Sequence, residues 1–171
     1  MENTRTPSGP GTTAEPVASA APADFSWAVR VYWEDTDAGG VVFYANYLKF
    51  FERARTEWLR TWGPSQEALR QAGAGMFVVA ETRVKYLQPA VLDDSLRITV
   101  QLGEVGRASM DVFQQAWRGD TLLCEGHIRI GWVSKAADGS LRPARMPADL
   151  LARLQPSAPP GAQNLAGHAP Q

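Results

Sequence analysis

The chain has 171 residues, 44% of them hydrophobic, which suffices for one domain with a core and is too little for two of ordinary size. Its formal net charge of −1, with both signs spread along the chain, gives no electrostatic reason to expect nucleic acid or an anionic membrane surface as partner. Cys124 is the only cysteine, which excludes an intrachain disulfide and a cysteine-based metal cluster and suits a reducing, cytoplasmic setting.

Met1 to about Asp24 is rich in Ala, Pro, Thr, Ser and Gly and lacks both the basic and the continuous apolar regions of a signal peptide. Pro156 to Gln171 shares the bias, so residues 1–24 and 156–171 are expected to be disordered tails around one folded domain over 25–155. No stretch approaches the roughly 20 apolar residues of a membrane span. Within the domain, Trp27 to Glu34 alternates like a first strand, and the turn formers Asp35-Thr36-Asp37-Ala38-Gly39-Gly40 break it.

From about Ala45 to Trp62 the period becomes helical. Tyr47, Phe51, Ala54, Trp58 and Trp62 form a stripe that Leu48, Phe50 and Leu59 widen. Lys49, Glu52, Arg53, Arg55, Glu57 and Arg60 fill the other positions, with Arg53 spaced to pair with Glu57. Gly63-Pro64 ends this helix, and Ser65 can cap a short second one running to about Ala72, stopped by Gly73 and Gly75.

Strands follow. Phe77 to Leu87 sets Val78, Ala80, Val84 and Tyr86 against Glu81, Arg83 and Lys85, and Leu96, Ile98, Val100 and Leu102 then alternate with Arg97, Thr99 and Gln101. Ser109 to Arg118 comes after a turn at Gly106. Leu122 to Val133 follows a turn at Gly119-Asp120 and puts Leu122, Cys124, Ile128, Ile130 and Trp132 on one face; a last short helix spans Ala148 to Leu154. Four successive strands with short connections predict an antiparallel meander whose apolar face only the long helix is large enough to cover. The fold class is therefore α+β: a five-stranded antiparallel sheet wrapped around one long central helix, the hotdog architecture.

The run from Val31 through Tyr32-Trp33-Glu34-Asp35-Thr36-Asp37-Ala38-Gly39-Gly40-Val41-Val42-Phe43-Tyr44-Ala45-Asn46-Tyr47 to Leu48, continued by Phe51-Glu52-Arg53-Ala54-Arg55-Thr56-Glu57-Trp58-Leu59, resembles the Tol-Pal-system-associated acyl-CoA thioesterases. These belong with the 4-hydroxybenzoyl-CoA thioesterases, and the resemblance covers roughly Trp27 to Leu154. It implies that Asp37 is the catalytic carboxylate, as a nucleophile through a mixed anhydride or as a general base on water, and it implies no cofactor, coenzyme A being part of the substrate. Tyr44 stands where many close relatives have histidine and the hydroxybenzoyl branch has tyrosine; Trp33 stands where close relatives often have tyrosine. Arg107 and Arg142 match basic residues that hold the coenzyme A phosphates in the hydroxybenzoyl branch. The resemblance also implies sites between protomers, hence at least a homodimer and a tetramer of paired dimers, and a functional link to the Tol-Pal envelope system.

The chemistry suits these residues. A thioester carbonyl is electrophilic, so its hydrolysis needs an oxygen nucleophile and something positive for the carbonyl oxygen as it gains charge, and neither need calls for a metal. The first turn of a helix exposes unpaired N–H groups, so Val42 to Asn46 can polarise that oxygen, while Gly39 and Gly40 admit close backbone approach. Gly40, Val41 and Val42 are thus candidate substrate-binding positions beside Asp37 and Tyr44.

Read by themselves, Asp35 and Asp37 are ordinary turn formers or caps, Tyr44 a core or interface aromatic, and Arg107 and Arg142 surface charges. His127 sits on a strand and His168 in the tail, so a hydratase, which pairs histidine with an acid, lacks its base near Asp37. Gly-x-Ser-x-Gly, phosphate-loop and dinucleotide signatures are absent. The rival from another class is a non-catalytic acyl-CoA-binding or protein-interaction module on the same fold.

Overall fold

The computed structural model describes residues 25–154 apart from 62, 64, 72 and 74. The tails expected over 1–24 and 156–171 lie outside those residues, as do the helix-end positions Trp62, Pro64 and Ala72. Chain order gives β1 (Phe25–Arg30), α1 (Asn46–Arg60), α2 (Gln66–Gln71), β2 (Met76–Tyr86), β3 (Ser95–Val105), β4 (Ser109–Arg118), β5 (Thr121–Lys135), β6 (Leu141–Pro143) and α3 (Ala148–Leu154).

Most of the stripe predicted for α1 is buried: Tyr47, Phe50, Phe51, Ala54 and Trp58 pack under the sheet against Leu96, Ile98, Val100, Val112, Ile128, Ile130 and Trp132, whereas Leu59 is half-buried and Leu48, expected to widen the stripe, is exposed in the first turn. The helix lies against β1, β3 and β4. It comes so near β5 that a Cβ added at Gly126 would sit 2.8 Å from the Phe51 ring, so only glycine fits there without displacing the helix. Two expectations about its polar positions change. Glu57 pairs with Arg60 at 3.3 Å rather than with Arg53, and Arg55 turns inward, where its guanidinium donates to Gln114 Oε1 at 2.7 Å. Ser65 caps α2 as expected, its hydroxyl accepting from the Ala68 N–H at 3.2 Å.

Every strand pair is antiparallel, in the order β1-β3-β4-β5-β2, with β6 beside the end of β5. The hotdog sheet around one helix stands, but the meander of four consecutive strands does not: β2 pairs with β5, and only β3, β4 and β5 are consecutive neighbours. Residues 87–94 cross from one side to the other. At about 3.3 Å per residue they outreach the three strand spacings of about 4.8 Å between β2 and β3, so shortness did not force adjacency. The crossing rides over the β4–β5 turn, with the Leu87 and Gln88 N–H groups donating to Leu123 C=O and Arg118 clasping Asp94 at 2.8 Å.

Two bulges shift the inward pattern. The β2–β5 register slips between Val79 and Glu81, so Phe77 faces Trp132 and Val79 faces Ile130 before the bulge, while Thr82 and Val84 face Ile128 and Gly126 after it. Val79 therefore shares the face of Ile130 in place of Val78, yet on this edge strand it stays 52% exposed while Val78 is half-buried. On β5, Trp117 pairs with Leu122 and Ala116 with Cys124, so the extra residue Leu123 is fully buried and Leu122 only partly. The first strand also ends early, at Arg30, and Trp33–Asp35 winds into one 3-10 turn because the Asp35 carboxylate accepts the Tyr32 N–H at 2.9 Å.

Candidate active site

The segment between β1 and α1 is a folded loop with a defined frame. Thr36 bridges Val42 across it; the Asp37 N–H donates to Val41 C=O at 2.9 Å, and the Phe43 N–H to Asp35 C=O at 2.8 Å. Asp35 is buried, and Asn46, the first residue of α1, donates from its side chain to Asp35 C=O at 2.9 Å, which locks the loop to the helix. Asp35 is thus the structural aspartate of the pair. Asp37 is the exposed one, at the tip, with one carboxylate oxygen accepting the Gly39 N–H at 2.8 Å. Gly40 closes the turn at φ 77°, in the left-handed region that a side chain would resist.

The helix start leaves donors over. Ala45 is the N-cap and caps nothing with its side chain. The Val42 N–H is taken by Ala90 C=O at 2.8 Å and the Asn46 N–H by Phe43 C=O at 2.8 Å. Among the described backbone bonds, those of Tyr44 and Ala45 have no acceptor, so the donors offered at the positive end of α1 narrow from Val42–Asn46 to these two. Val42 itself is buried and Val41 half-buried.

Beside these donors is a recess of about 250 Å³ lined by Val42, Tyr44, Tyr47, Tyr86, Leu87, Gln88 and Pro89. Tyr44 is 62% exposed, with its ring 4.6 Å from Phe43 and edge-on to Tyr86 at 6.3 Å, and its carbonyl accepts the Tyr86 hydroxyl at 3.1 Å. Tyr47 is buried and its oxygen accepts the Ala90 N–H at 3.2 Å. Desolvation raises the pKa of Tyr47 and of Tyr86, so both phenols stay protonated at neutral pH.

Asp37, Gly40, Val41, Val42 and Tyr44 therefore share one end of the sheet. Arg107 and Arg142 do not join them. Arg107 lies in the β3–β4 turn, where its C=O accepts the Met146 N–H at 2.9 Å, and Arg142 lies on β6, paired with Asp138 at 2.7 Å. Both are exposed and occupy the opposite end of the strands, roughly 30 Å away along β3 at about 3.3 Å per residue. One protomer cannot bring them to its own Asp37. Among the described residues no three of His, Cys, Asp and Glu cluster as a metal site, and no helix is long and apolar enough to cross a membrane.

Sequence reasoning missed Tyr86 as a site neighbour, and it missed the buried contact of Arg55 with Gln114 in the core. Only the three-residue spacing of Arg55 from the buried Trp58 hinted that its side chain could turn inward.

The profile of the thioesterase-like superfamily matches residues 31–154. Acyl-CoA thioesterase YbgC of Haemophilus influenzae is 40% identical over 128 residues, 75% of this chain and 92% of that protein. Acyl-CoA thioester hydrolase YbgC of Escherichia coli is 40% identical over 132 residues, 77% of this chain and 96% of its own length. Among solved structures, a probable thioesterase from Bartonella henselae superposes with a TM-score of 0.64 at 32% identity, over 71% of this chain and 98% of that one. A 4-hydroxybenzoyl-CoA thioesterase superposes at 0.70 with 20% identity, over 76% of this chain and 97% of that one, and speaks for the fold.

Proposed function

The chain belongs to the thioesterase-like superfamily, as its resemblance to the Tol-Pal-associated branch led one to expect, and from that premise we propose that it hydrolyses acyl-CoA with Asp37 as its working carboxylate. Acyl-CoA hydrolysis is the activity its YbgC relatives are named for. The observation that carries the role of Asp37 is the exposed carboxylate on a rigid loop leading into a helix whose Tyr44 and Ala45 N–H groups lack backbone acceptors.

The carbonyl oxygen of the thioester rests on those two donors, which are fixed before the reaction and cost no reorganisation as charge develops. The Asp37 oxygen then adds to the carbonyl carbon, or takes a proton from a water that adds, and the tetrahedral centre collapses with coenzyme A leaving as its thiolate; on the first route a water then hydrolyses the acyl–Asp37 anhydride, releasing the free acid and restoring the carboxylate. Tyr44 acts mainly through its N–H, its ring forming one wall of the recess. The Asx turn to Gly39 holds the Asp37 side chain in place.

The working unit is at least a dimer, with a tetramer of paired dimers as the full assembly. The exposed edge of β2 supports this. If two copies pair through β2 about a twofold axis, their strands run antiparallel, and the Met76 end of one lies beside the Tyr86 end of the other. That brings the partner's Arg107 and the partner's Arg142 toward this protomer's Asp37, where they would hold the phosphates of coenzyme A; Gly40, Val41 and Val42 line the approach. The enzyme is placed in the cytoplasm, linked in function to the Tol-Pal system.

Thiol release from short, long and aromatic acyl-CoAs, compared between wild type and Asp37→Asn, tests this. Release that falls by at least about 100-fold in the variant, with acyl-CoA binding kept, is the expected result. Binding without release by wild type would make the protein an acyl-CoA-binding module. Single turnover in heavy-oxygen water separates the two chemistries: label entering the Asp37 carboxylate marks the anhydride route.

A further inference from the structure

The crossing 87–94 does more than join two strands, because the loop that carries Asp37 hangs on its middle. The Val42 N–H donates to Ala90 C=O at 2.8 Å, and Val41 bridges Val91 in antiparallel pairing. The buried Ala90 also donates its own N–H to the Tyr47 hydroxyl oxygen at 3.2 Å, which ties the crossing to the first turn of α1. Asp37 follows through one further bond, from its N–H to Val41 C=O at 2.9 Å, and Tyr44 and Ala45 with their free donors come directly after Val42 and Phe43. Wherever residues 90 and 91 sit, the carboxylate and the two N–H groups sit with them.

Residues 90 and 91 are fixed by a polar clasp at the end of the crossing. Asp94 Oδ2 accepts the Val91 N–H at 2.9 Å and an Arg118 N–H at 2.8 Å, and the same guanidinium nitrogen donates to Pro89 C=O at 3.4 Å. Arg118 is the last residue of β4, so the clasp stands on the sheet. The Asp94 N–H closes a turn onto Val91 C=O at 3.1 Å. Beside it Asp93 holds φ 66°, the left-handed region that few residues other than glycine occupy and that persists where surrounding bonds dictate it. Its N–H donates to Val31 C=O at 3.1 Å and its C=O accepts Arg30 at 2.6 Å. An exposed ion pair contributes little by itself. Here the Asp94 side chain is only 16% exposed, and its one oxygen takes both the guanidinium and the backbone that carries the loop.

We infer that Arg118 and Asp94 are positioning residues for hydrolysis: their ion pair holds the crossing where Ala90 and Val91 set the Asp37 carboxylate against the Tyr44 and Ala45 donors. The inference rests on the thioesterase reading. Neither side chain lines the recess, so loss of the pair slows the chemical step more than it weakens binding. A misplacement of about 1 Å transmitted to reacting groups costs about 100-fold in rate.

The test reads kcat, KM and amide exchange in wild type, Arg118→Met, Arg118→Lys, Asp94→Asn and the double variant Arg118→Met with Asp94→Asn. Arg118→Met is expected to lower kcat at least about tenfold with KM changed by less than about threefold, and Arg118→Lys, which keeps the charge, to recover most of that loss. The single losses should overlap, leaving the double variant within about twofold of the slower single one, since either change opens the same clasp. A kcat within about twofold of wild type in folded Arg118→Met overturns the inference, and so do single losses that multiply in the double variant. If Arg118→Met does not fold, Asp94→Asn, which removes the charge and leaves Val91 an acceptor, is read in its place.

Amide exchange keeps this separate from the thioesterase reading. In Arg118→Met the N–H groups of Asp37 and Val42 should exchange at least about tenfold faster, while those of Ile98 and Val112 in the middle of the sheet keep the wild-type rate. Acceleration throughout the sheet marks a contribution to global stability alone and overturns the positioning role. Thiol release by wild type with unaccelerated exchange at Asp37 and Val42 in the variant overturns the clasp and leaves the enzyme standing. No thiol release by wild type overturns the hydrolysis reading, and the catalytic purpose of the clasp with it, even where the exchange at Asp37 and Val42 is accelerated.

Discussion

Strand β1 bounds one side of the sheet with 6 residues, and β2 bounds the other with 11. The short edge is anchored at its end: the Val31 N–H donates to Asp94 C=O at 3.0 Å and Arg30 reaches Asp93 C=O at 2.6 Å. The long edge carries Val79 at 52% and Tyr86 at 46% exposure, an apolar and an aromatic group left open at either side of the charged Glu81, Arg83 and Lys85. A protein that left both edges to water would blunt both. The β1 side is tied down within the protomer, while the β2 side borders the recess at Tyr86 beside the candidate site and a cleft at Val79.

The same lesion placed on each edge breaks or sharpens that contrast. Val79→Lys is expected to give monomers by light scattering and to lower hydrolysis by about 100-fold, because substrate groups supplied across the interface are displaced. Ala28→Lys, on β1, should stay dimeric and lie within about 0.5 kcal/mol of wild type in stability. If Val79→Lys stays dimeric and active, the β2 edge is not the interface. Gly126→Ala acts on the interior between the edges: its methyl meets Phe51, and urea denaturation should show about 1–3 kcal/mol of lost stability at unchanged m-value.

Arg142→Ala should raise KM by about fivefold or less with kcat unchanged, an exposed pair to phosphate being worth about 1 kcal/mol, and added salt should narrow the gap. The smallest effect belongs to Cys124, buried and with its thiol pushed up to about 12 by desolvation. Native protein should show no reactive thiol at neutral pH and the unfolded chain one, so thiol assays read released coenzyme A alone.

Much of this was readable beforehand, for physical reasons that also mark the limit. Leu96, Ile98 and Val100 alternate because one face of β3 is buried, and Ser109–Arg118 and Ala148–Leu154 have the bounds that turns and Pro147 dictate. Which strand sits beside β2 was not readable, since residues 87–94 are long enough to reach either neighbour. The bulges at Ala80 and Leu123 were equally hidden, because register exists only relative to a partner strand. In the site, the loop from Asp35 to Asn46 was legible as a unit, its residues being contiguous. In the core, Arg55 was not, because its side chain turns inward only to meet Gln114, which lies far along the chain.

The pairing of β2 with β5 also sets an order in time. A ribosome that has released α1, α2 and β2 has supplied a strand with no neighbour, since β5 follows only after β3 and β4. The long loop must close before β2 gains its ladder, and closing it carries the larger entropic cost. The edge that a second copy would use is therefore set in place only once the chain has been made through β5. Until then β2 is a strand with both edges unpaired, and it is during that interval that two nascent chains on neighbouring ribosomes are most open to pairing wrongly through it.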